Sequence, residues 1–286
     1  MKKLDISSVH PKTLSKYKKL IPYKYRHLLK EKSFILGLEI DSEPFGICIC
    51  QLDLFLKTCV ICHLNAPENS IEIILKTLEE HLKKQQFLSI VFTYEDNPYL
   101  ESLLDRKIGW SPSSPWASRY SFDCKNFHPA WFEKKYHLPK KYKITPWINI
   151  FEKQDEVQHI KFHLQQYCVP LYLSPFLLEK YIQTMNSLAL IYEDRVVGWI
   201  LTHTYPDKVN TVVYTNLYVY PNQRFTGLAI FLLIESIKLQ QNSSIRWSSF
   251  EVLHHSTSRS WKKFCDSRLR PYSIDTREFV RRHKEI

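Results

Sequence analysis

"TVVYTNLYVYPNQRFTGLAIFLL", residues 211–233, decides how the rest of the chain is read. Its first nine residues are rich in β-branched and aromatic side chains, the composition of a strand. Pro221 then breaks the strand, because proline cannot donate to a ladder. "RFTGLA" leads straight into an apolar run, which predicts a helix over residues 226–240. The chain has only five glycines, and Gly227 falls at this junction. The first amides of a helix lack internal partners and carry partial positive charge, and a residue without Cβ lets a ligand approach them. Ala229 keeps the next turn open, and Arg224 adds a charge suited to a diphosphate. The junction reads as an anion site. It is not a Walker loop, since no Gly-Lys-Ser/Thr follows. Nor is it a dinucleotide fingerprint, which needs three glycines.

The flanks give the order of elements. Residues 187–193, 196–205 and 211–219 read as three successive strands, with turns at Asp194–Arg195 and at "PDKVN", an antiparallel meander. A strand over 245–253 follows the helix, and Ser256 is placed to cap a last helix ending near Ser267. The first half repeats this order. "SFILGLEI", "PFGICICQL" and "TCVICHLN" are strands, and "SIEIILKTLEEHLKK" is a helix with apolar Ile71, Ile74, Leu75, Leu78 and Leu82. "FLSIVFTY" and "NPYLESLLDRK" add a strand and a helix ending at Gly109. Gly46 matches Gly198 and Pro67 matches Pro221 at nearly one offset, which argues for two copies of one unit. The expected boundaries are residues 1–124 for the first domain, 125–143 for a Pro- and Lys-rich linker, and 144–286 for the second.

Arg224-x-x-Gly227-x-Ala229 resembles the Q/R-x-x-G-x-G/A signature of the GNAT superfamily of acyl-CoA-dependent N-acyltransferases. The resemblance implies an α/β (α+β) fold of two tandem GNAT-like domains, each a mixed, mostly antiparallel sheet flanked by helices. It implies acetyl-CoA or another acyl-CoA as the donor, with its pyrophosphate on the loop from Arg224 through Phe225, Thr226, Gly227 and Leu228 to Ala229. It also implies direct attack by the amine of a small molecule or protein while both substrates are bound. The thioester carbonyl would be polarised by amides around Leu217, Tyr218 and Val219, where the fourth strand of the unit splays from the fifth. In the first half "APENSIE" replaces the loop, with neither Gly nor Arg. Glu68 sets a negative charge where a diphosphate would bind, and Asn69 or Ser70 serves as helix cap. The first half is therefore expected to be a degenerate copy, a scaffold or one wall of the acceptor site.

For proton removal the candidates are Glu251 and His254, with His255 beside it, and Tyr218 with Asn216 on the same strand face to orient the amine or a water. For departure of the thiolate the family uses a Tyr in the last helix. "TSRSWKKFCDSRL" carries Phe264 there, and Phe264 has no proton to donate. Tyr272 is an alternative donor.

The formal charge of +11 is concentrated at the ends, +8 in residues 1–32 and +5 in residues 259–286. Such ends attract polyanions, so a tRNA-dependent Fem-like aminoacyl transferase, or a non-catalytic module binding CoA or a protein partner, stands beside the acyltransferase reading. No run of apolar residues is long enough for a membrane-spanning helix, and no signal-peptide h-region follows Met1. Seven cysteines include Cys48, Cys50, Cys59 and Cys62 in two neighbouring strands, which suits buried thiols better than a metal site. Free thiols without a secretion signal imply a cytoplasmic setting.

Overall fold

The computed structural model describes residues 4–30, 33–107, 109–132, 138–254 and 259–286. The chain divides into two compact units, Met1–Ala117 with Arg277–Ile286, and Ser118–Thr276. This differs from the expected boundaries in two places. Residues 118–143, read as the end of a first domain plus a linker, fall in the second unit, and the last ten residues return to the first. The return is made by a charged strand, "DTREFVRRHKE", whose composition gives no apolar alternation to mark it.

In the first unit the strand order is β1 (Leu4–Ser8), β2 (Ser33–Ile40), β3 (Glu43–Asp53), β4 (Thr58–Asn65), β5 (Ser89–Glu95) and β12 (Asp275–Glu285). Only β4 and β5 run parallel. Helix α1 (Glu68–Lys84) buries Ile74, Leu78 and Leu82 on Leu36, Leu38, Cys48 and Cys50. Helix α2 (Pro98–Asp105) starts at Asn97, whose side chain accepts from the Tyr99 and Leu100 amides. Residues alternate across a strand, so Ile35, Ile47 and Ile49 face the other way, where the 3-10 segments Pro11–Leu20 and Tyr23–Lys30 cover them with Tyr17 and Ile21. β12 is anchored by Arg282, which is buried and reaches Glu101 (2.5 Å), Asp105 (2.7 Å) and the Tyr94 hydroxyl (2.9 Å). Burial opposes its charge, but these partners outweigh burial and hold the guanidinium pKa above its ordinary value.

The second unit orders its strands β6 (Ser114–Asp123), β11 (Trp247–Leu253), β10 (Thr211–Val219), β9 (Arg195–His203), β8 (Leu188–Tyr192) and β7 (Tyr142–Pro146). β7 to β10 form the antiparallel meander, and β10 and β11 run parallel. Helix α5 (Leu228–Gln241) is apolar nearly all round, and its Leu228, Leu232 and Leu233 are completely or almost completely buried. It starts two residues later than expected, because Pro221–Thr226 forms a 3-10 turn first. The last helix, α6 (Arg259–Phe264), continues as a π-helical turn, Cys265–Leu269. Its expected cap, Ser256, lies outside the described residues. Short α3 (Ile148–Phe151), α4 (Gln154–Gln166) and the 3-10 turns Leu171–Leu173 and Glu179–Tyr181 complete the cover.

The internal repeat has a physical basis. A Cβ on Gly46 would lie 3.0 Å from the Asn65 carbonyl oxygen on the next strand, and one on Gly198 would lie 2.8 Å from the Tyr218 carbonyl oxygen. Each glycine lets its strand, β3 or β9, approach the next, β4 or β10, at the corresponding point.

Candidate functional site

The decisive feature is a β-bulge at Thr215. β10 pairs with β9 as Tyr214↔Thr202 and then Asn216↔Leu201, which leaves Thr215 as the extra residue. The ladder between β10 and β11 stops at that point, with Tyr214↔Phe250 as its last pair, although both strands continue. A bulge also reverses which face each later residue occupies. Tyr214 donates to Gln240 Oε1 on α5 (2.9 Å), whereas Asn216 Nδ2 donates to the Ser174 carbonyl (3.2 Å) and Tyr218 meets His163 of α4. Tyr220 donates its amide to the Val197 carbonyl on β9 (2.9 Å). By alternation along an antiparallel pair, the Leu217 and Val219 amides lie on the edge of β10 turned away from β9, toward the splay.

Beyond the splay the chain makes its 3-10 turn and reaches Gly227, which adopts φ 70°. That left-handed conformation selects glycine. A Cβ built there meets no atom within 4 Å, so the space in front of it is open. The first internal bonds of α5 come from Ile230 and Phe231, both to the Gly227 carbonyl, which sets the Leu228 and Ala229 amides ahead of the ladder. No acid occupies the first turn of α5. The side chains of Arg224, Phe225 and Thr226 lie outside the described residues.

The three candidate catalytic side chains fall on two faces of the sheet. Tyr218 is buried, with its hydroxyl 3.1 Å from His163 Nε2 and its ring 4.9 Å from that of Trp199. His163 stacks on Tyr220 at 3.4 Å. Glu251 is half exposed and forms a fork with Arg119 of β6 through Oε2, at 2.6 and 3.1 Å. His254 turns to the side of β11 that also carries buried Phe250 and Val252, and its Nε2 lies 2.8 Å from Ser118 Oγ. Ser118 also hydrogen-bonds the Tyr120 phenol, which donates to Asp266 Oδ1 (3.0 Å) in the π-helical turn. Burial, reinforced by Asp266, raises the Tyr120 pKa well above that of an ordinary phenol. The result is a chain of bonds from Asp266 through Tyr120 and Ser118 to His254. His255 lies outside the described residues.

Phe264 packs between aromatic neighbours, stacked on Trp261 (5.0 Å) and edge-on to Trp131 (5.4 Å). Tyr272 lies half exposed with its ring against Phe127. A groove of about 530 Å³ lies elsewhere, along edge strand β7 and α5, lined by Leu138, Ile144, Pro146, Leu188, Phe231 and Leu239. It carries none of these polar groups.

Sequence reading missed what holds the bulge in place. His203 is fully buried, with Nδ1 2.7 Å from Thr215 Oγ1 and Nε2 3.2 Å from the Leu177 carbonyl. Burial pushes its pKa down to about 4, so the ring is neutral at pH 7. With its one N–H on Nε2 facing Leu177, Nδ1 turns its lone pair to Thr215 Oγ1, which also lies 3.0 Å from the Leu201 carbonyl. Gln240, also buried, accepts from Tyr214 and donates to the Trp247 carbonyl (2.9 Å), so α5 is tied to β10 at the last pair before the splay and to β11 at the first pair of the same ladder. His203 sits between Thr202 and Thr204, and Gln240 opens a polar run continued by Gln241, Asn242 and Ser243, so neither stands out in sequence as a buried polar residue that needs a partner.

The first unit has the same backbone device. β4 pairs with β3 as His63↔Ile49 and then Ile61↔Cys50, so Cys62 is bulged, and the β4–β5 ladder stops at Ile61↔Phe92. Its mouth differs. α1 begins at Glu68 directly after Pro67, the N-cap residue, and the cap has no side-chain hydrogen bond. Asn69 and Ser70, expected as caps, are inside the helix.

No family model matches the sequence, and no curated protein is similar to it. Solved structures are similar along the whole chain. A tandem GNAT protein from the clavulanic acid biosynthesis pathway matches with a TM-score of 0.68 at 9% identity, over 99% of this chain and 98% of the other. A GCN5-related N-acetyltransferase from Sphaerobacter thermophilus matches with a TM-score of 0.62 at 11% identity, over 99% and 95%. A GNAT-family acetyltransferase from Colwellia psychrerythraea gives 0.60 at 10%, over 99% of each chain. The fold is that of the GNAT superfamily, in two tandem GNAT-like units.

Proposed function

We propose that the chain is an acyl-CoA-dependent N-acyltransferase whose working half is the second unit. One observation carries the reading: the Thr215 bulge opens β10 from β11 immediately before the Gly227 turn into α5. The residues present fit an acyl-CoA. Open space at Gly227, an α5 first turn without an acid, and the Arg224 charge in the sequence suit the diphosphate. When bound, the group supplies an activated thioester carbonyl. The Leu217 and Val219 amides lie on the splayed edge and are assigned to that carbonyl, where fixed donors stabilise developing negative charge.

His254 is assigned as the general base for the acceptor amine, and Ser118, Tyr120 and Asp266 as the groups that fix its ring and take its proton onward. Glu251, engaged by Arg119, is assigned to orientation rather than proton removal. Tyr218, held by His163 beneath α4, is assigned to the acceptor side of the splay. A thiol with pKa near 8.5, taken from cysteine, leaves tolerably as thiolate, so Phe264 in place of a donor does not forbid turnover. One observation favours a non-catalytic CoA-binding variant: the candidate catalytic side chains occupy two faces of the sheet.

Calorimetric titration with acetyl-CoA, then release of CoA thiol across an amine panel, separates these readings. The transferase reading requires micromolar binding and turnover. Binding without turnover on any amine assigns the second reading. Absence of binding at millimolar acetyl-CoA refutes both. In Gly227→Val, a β-branched residue must adopt positive φ and its side chain fills the open space, so affinity should fall about a hundredfold, ~2.7 kcal/mol.

A further inference from the structure

The turn between β3 and β4 in the first unit exposes three large apolar side chains in succession, Leu54 (53%), Phe55 (92%) and Leu56 (62%), and Leu88 (63%) lies beside them. A folded protein usually keeps such a run inside unless it meets a partner. The turn is rigidly built. Asp53 Oδ1 accepts from both the Phe55 and Leu56 amides, at 3.0 and 2.9 Å. Thr58 Oγ1 donates to the Leu56 carbonyl (3.3 Å), and the Lys57 carbonyl accepts from the Leu88 and Ser89 amides (2.8 and 3.3 Å). Lys57 itself adopts φ 52° to close the hairpin.

We propose that this tip seats the protein on a lipid bilayer, with Leu54, Phe55, Leu56 and Leu88 in the interfacial layer and Lys57 and exposed Lys84 at the headgroup phosphates. Backbone groups that enter a low-dielectric layer must be satisfied within the protein, and here the Phe55, Leu56, Leu88 and Ser89 amides and the Leu56 and Lys57 carbonyls have partners in the tip and the neighbouring strand. The tip is convex and needs no matching pocket. A standard protein interface buries about 800 Å² per partner, more than the three side chains of this turn and Leu88 offer. Net charge draws the unit toward an anionic surface, since the chain carries +11 and its first 32 residues, in the same unit, carry +8, which offsets Asp53 and Glu285 at the tip itself. This seating is independent of any acyl transfer by the second unit.

The test is flotation of the full chain with phosphatidylcholine vesicles, with and without phosphatidylserine. The wild-type chain is expected to float with both, more completely with phosphatidylserine. F55S/L56S should lower the partition coefficient at least about tenfold. Ile73→Ser, at an exposed apolar position on α1, should leave it unchanged and serves as the folding control, alongside circular dichroism of all three proteins. Wild-type chain that stays with the dense fraction overturns the proposal, as does F55S/L56S floating as well as wild type. A wild-type dimer in sedimentation velocity that F55S/L56S dissociates, without flotation, assigns the tip to a second copy instead.

Discussion

The two units carry the same backbone opening and different mouths. In each, a bulge on β4 or β10, at Cys62 or Thr215, ends a four-residue parallel ladder and splays the strand from its neighbour. In the first unit β4 ends at Asn65 and α1 begins at Glu68, so the helix meets the splay with its own carboxylate in its first turn. That charge already complements the positive end of the helix dipole. In the second unit β10 ends at Val219 and α5 begins only at Leu228, after the 3-10 turn and Gly227, with no acid in its first turn. The splay belongs to the fold. The anion site proposed here belongs to the turn between β10 and α5, and the link from Asn65 to Glu68 is too short to hold such a turn.

Four results would break or sharpen this comparison, the largest effect first. Arg282→Met removes the cation that ties β12 to α2 while leaving Glu101 and Tyr94 partly buried. It should cost the first unit roughly 3–5 kcal/mol in urea unfolding. A loss below 1 kcal/mol would mean that the returning strand is not what holds that unit together.

His203 predicts a pH effect confined to the second unit. Its folded pKa, about 4, lies below its ordinary value of 6.5, so protonation favours unfolding. Its contribution is full above pH 6.5 and is lost as pH falls from there toward 4, up to about 3 kcal/mol. His203→Gln should flatten that acid limb in urea titrations. An unchanged limb would remove His203 as the anchor of the bulge.

Ser118→Ala should lower turnover about tenfold with acetyl-CoA affinity intact, and Ser118→Thr should restore most of it. Loss of affinity instead would mark Ser118 as structural. Glu68→Lys, the smallest effect, should leave acetyl-CoA affinity within error. A gain would show that the first mouth is closed by that charge alone.

Much of this was legible in sequence. β10 was read to the residue, and the repeat was visible through Gly46 and Gly198, because close strand approach leaves glycine no substitute. Gly227 was legible for the same kind of reason, since positive φ selects it. The bulges were not. Thr215 and Cys62 are ordinary strand residues, and a bulge is a property of pairing rather than of composition. The face reversal that sends Tyr218 to α4 and the pairing of His254 with Ser118 depend on that register, so the candidate catalytic residues could be named but not grouped. β12 was missed because a strand held by a buried arginine and flanking carboxylates reads as surface.

The most direct test watches both mouths at once, by amide hydrogen exchange with and without CoA. Slowed exchange at residues 217–219 and 227–230, with none at 64–70, is the predicted result. Equal protection of residues 64–70, or none at 227–230 under saturating ligand, would contradict the claim that the Gly227 turn is what separates a binding copy from an inert one.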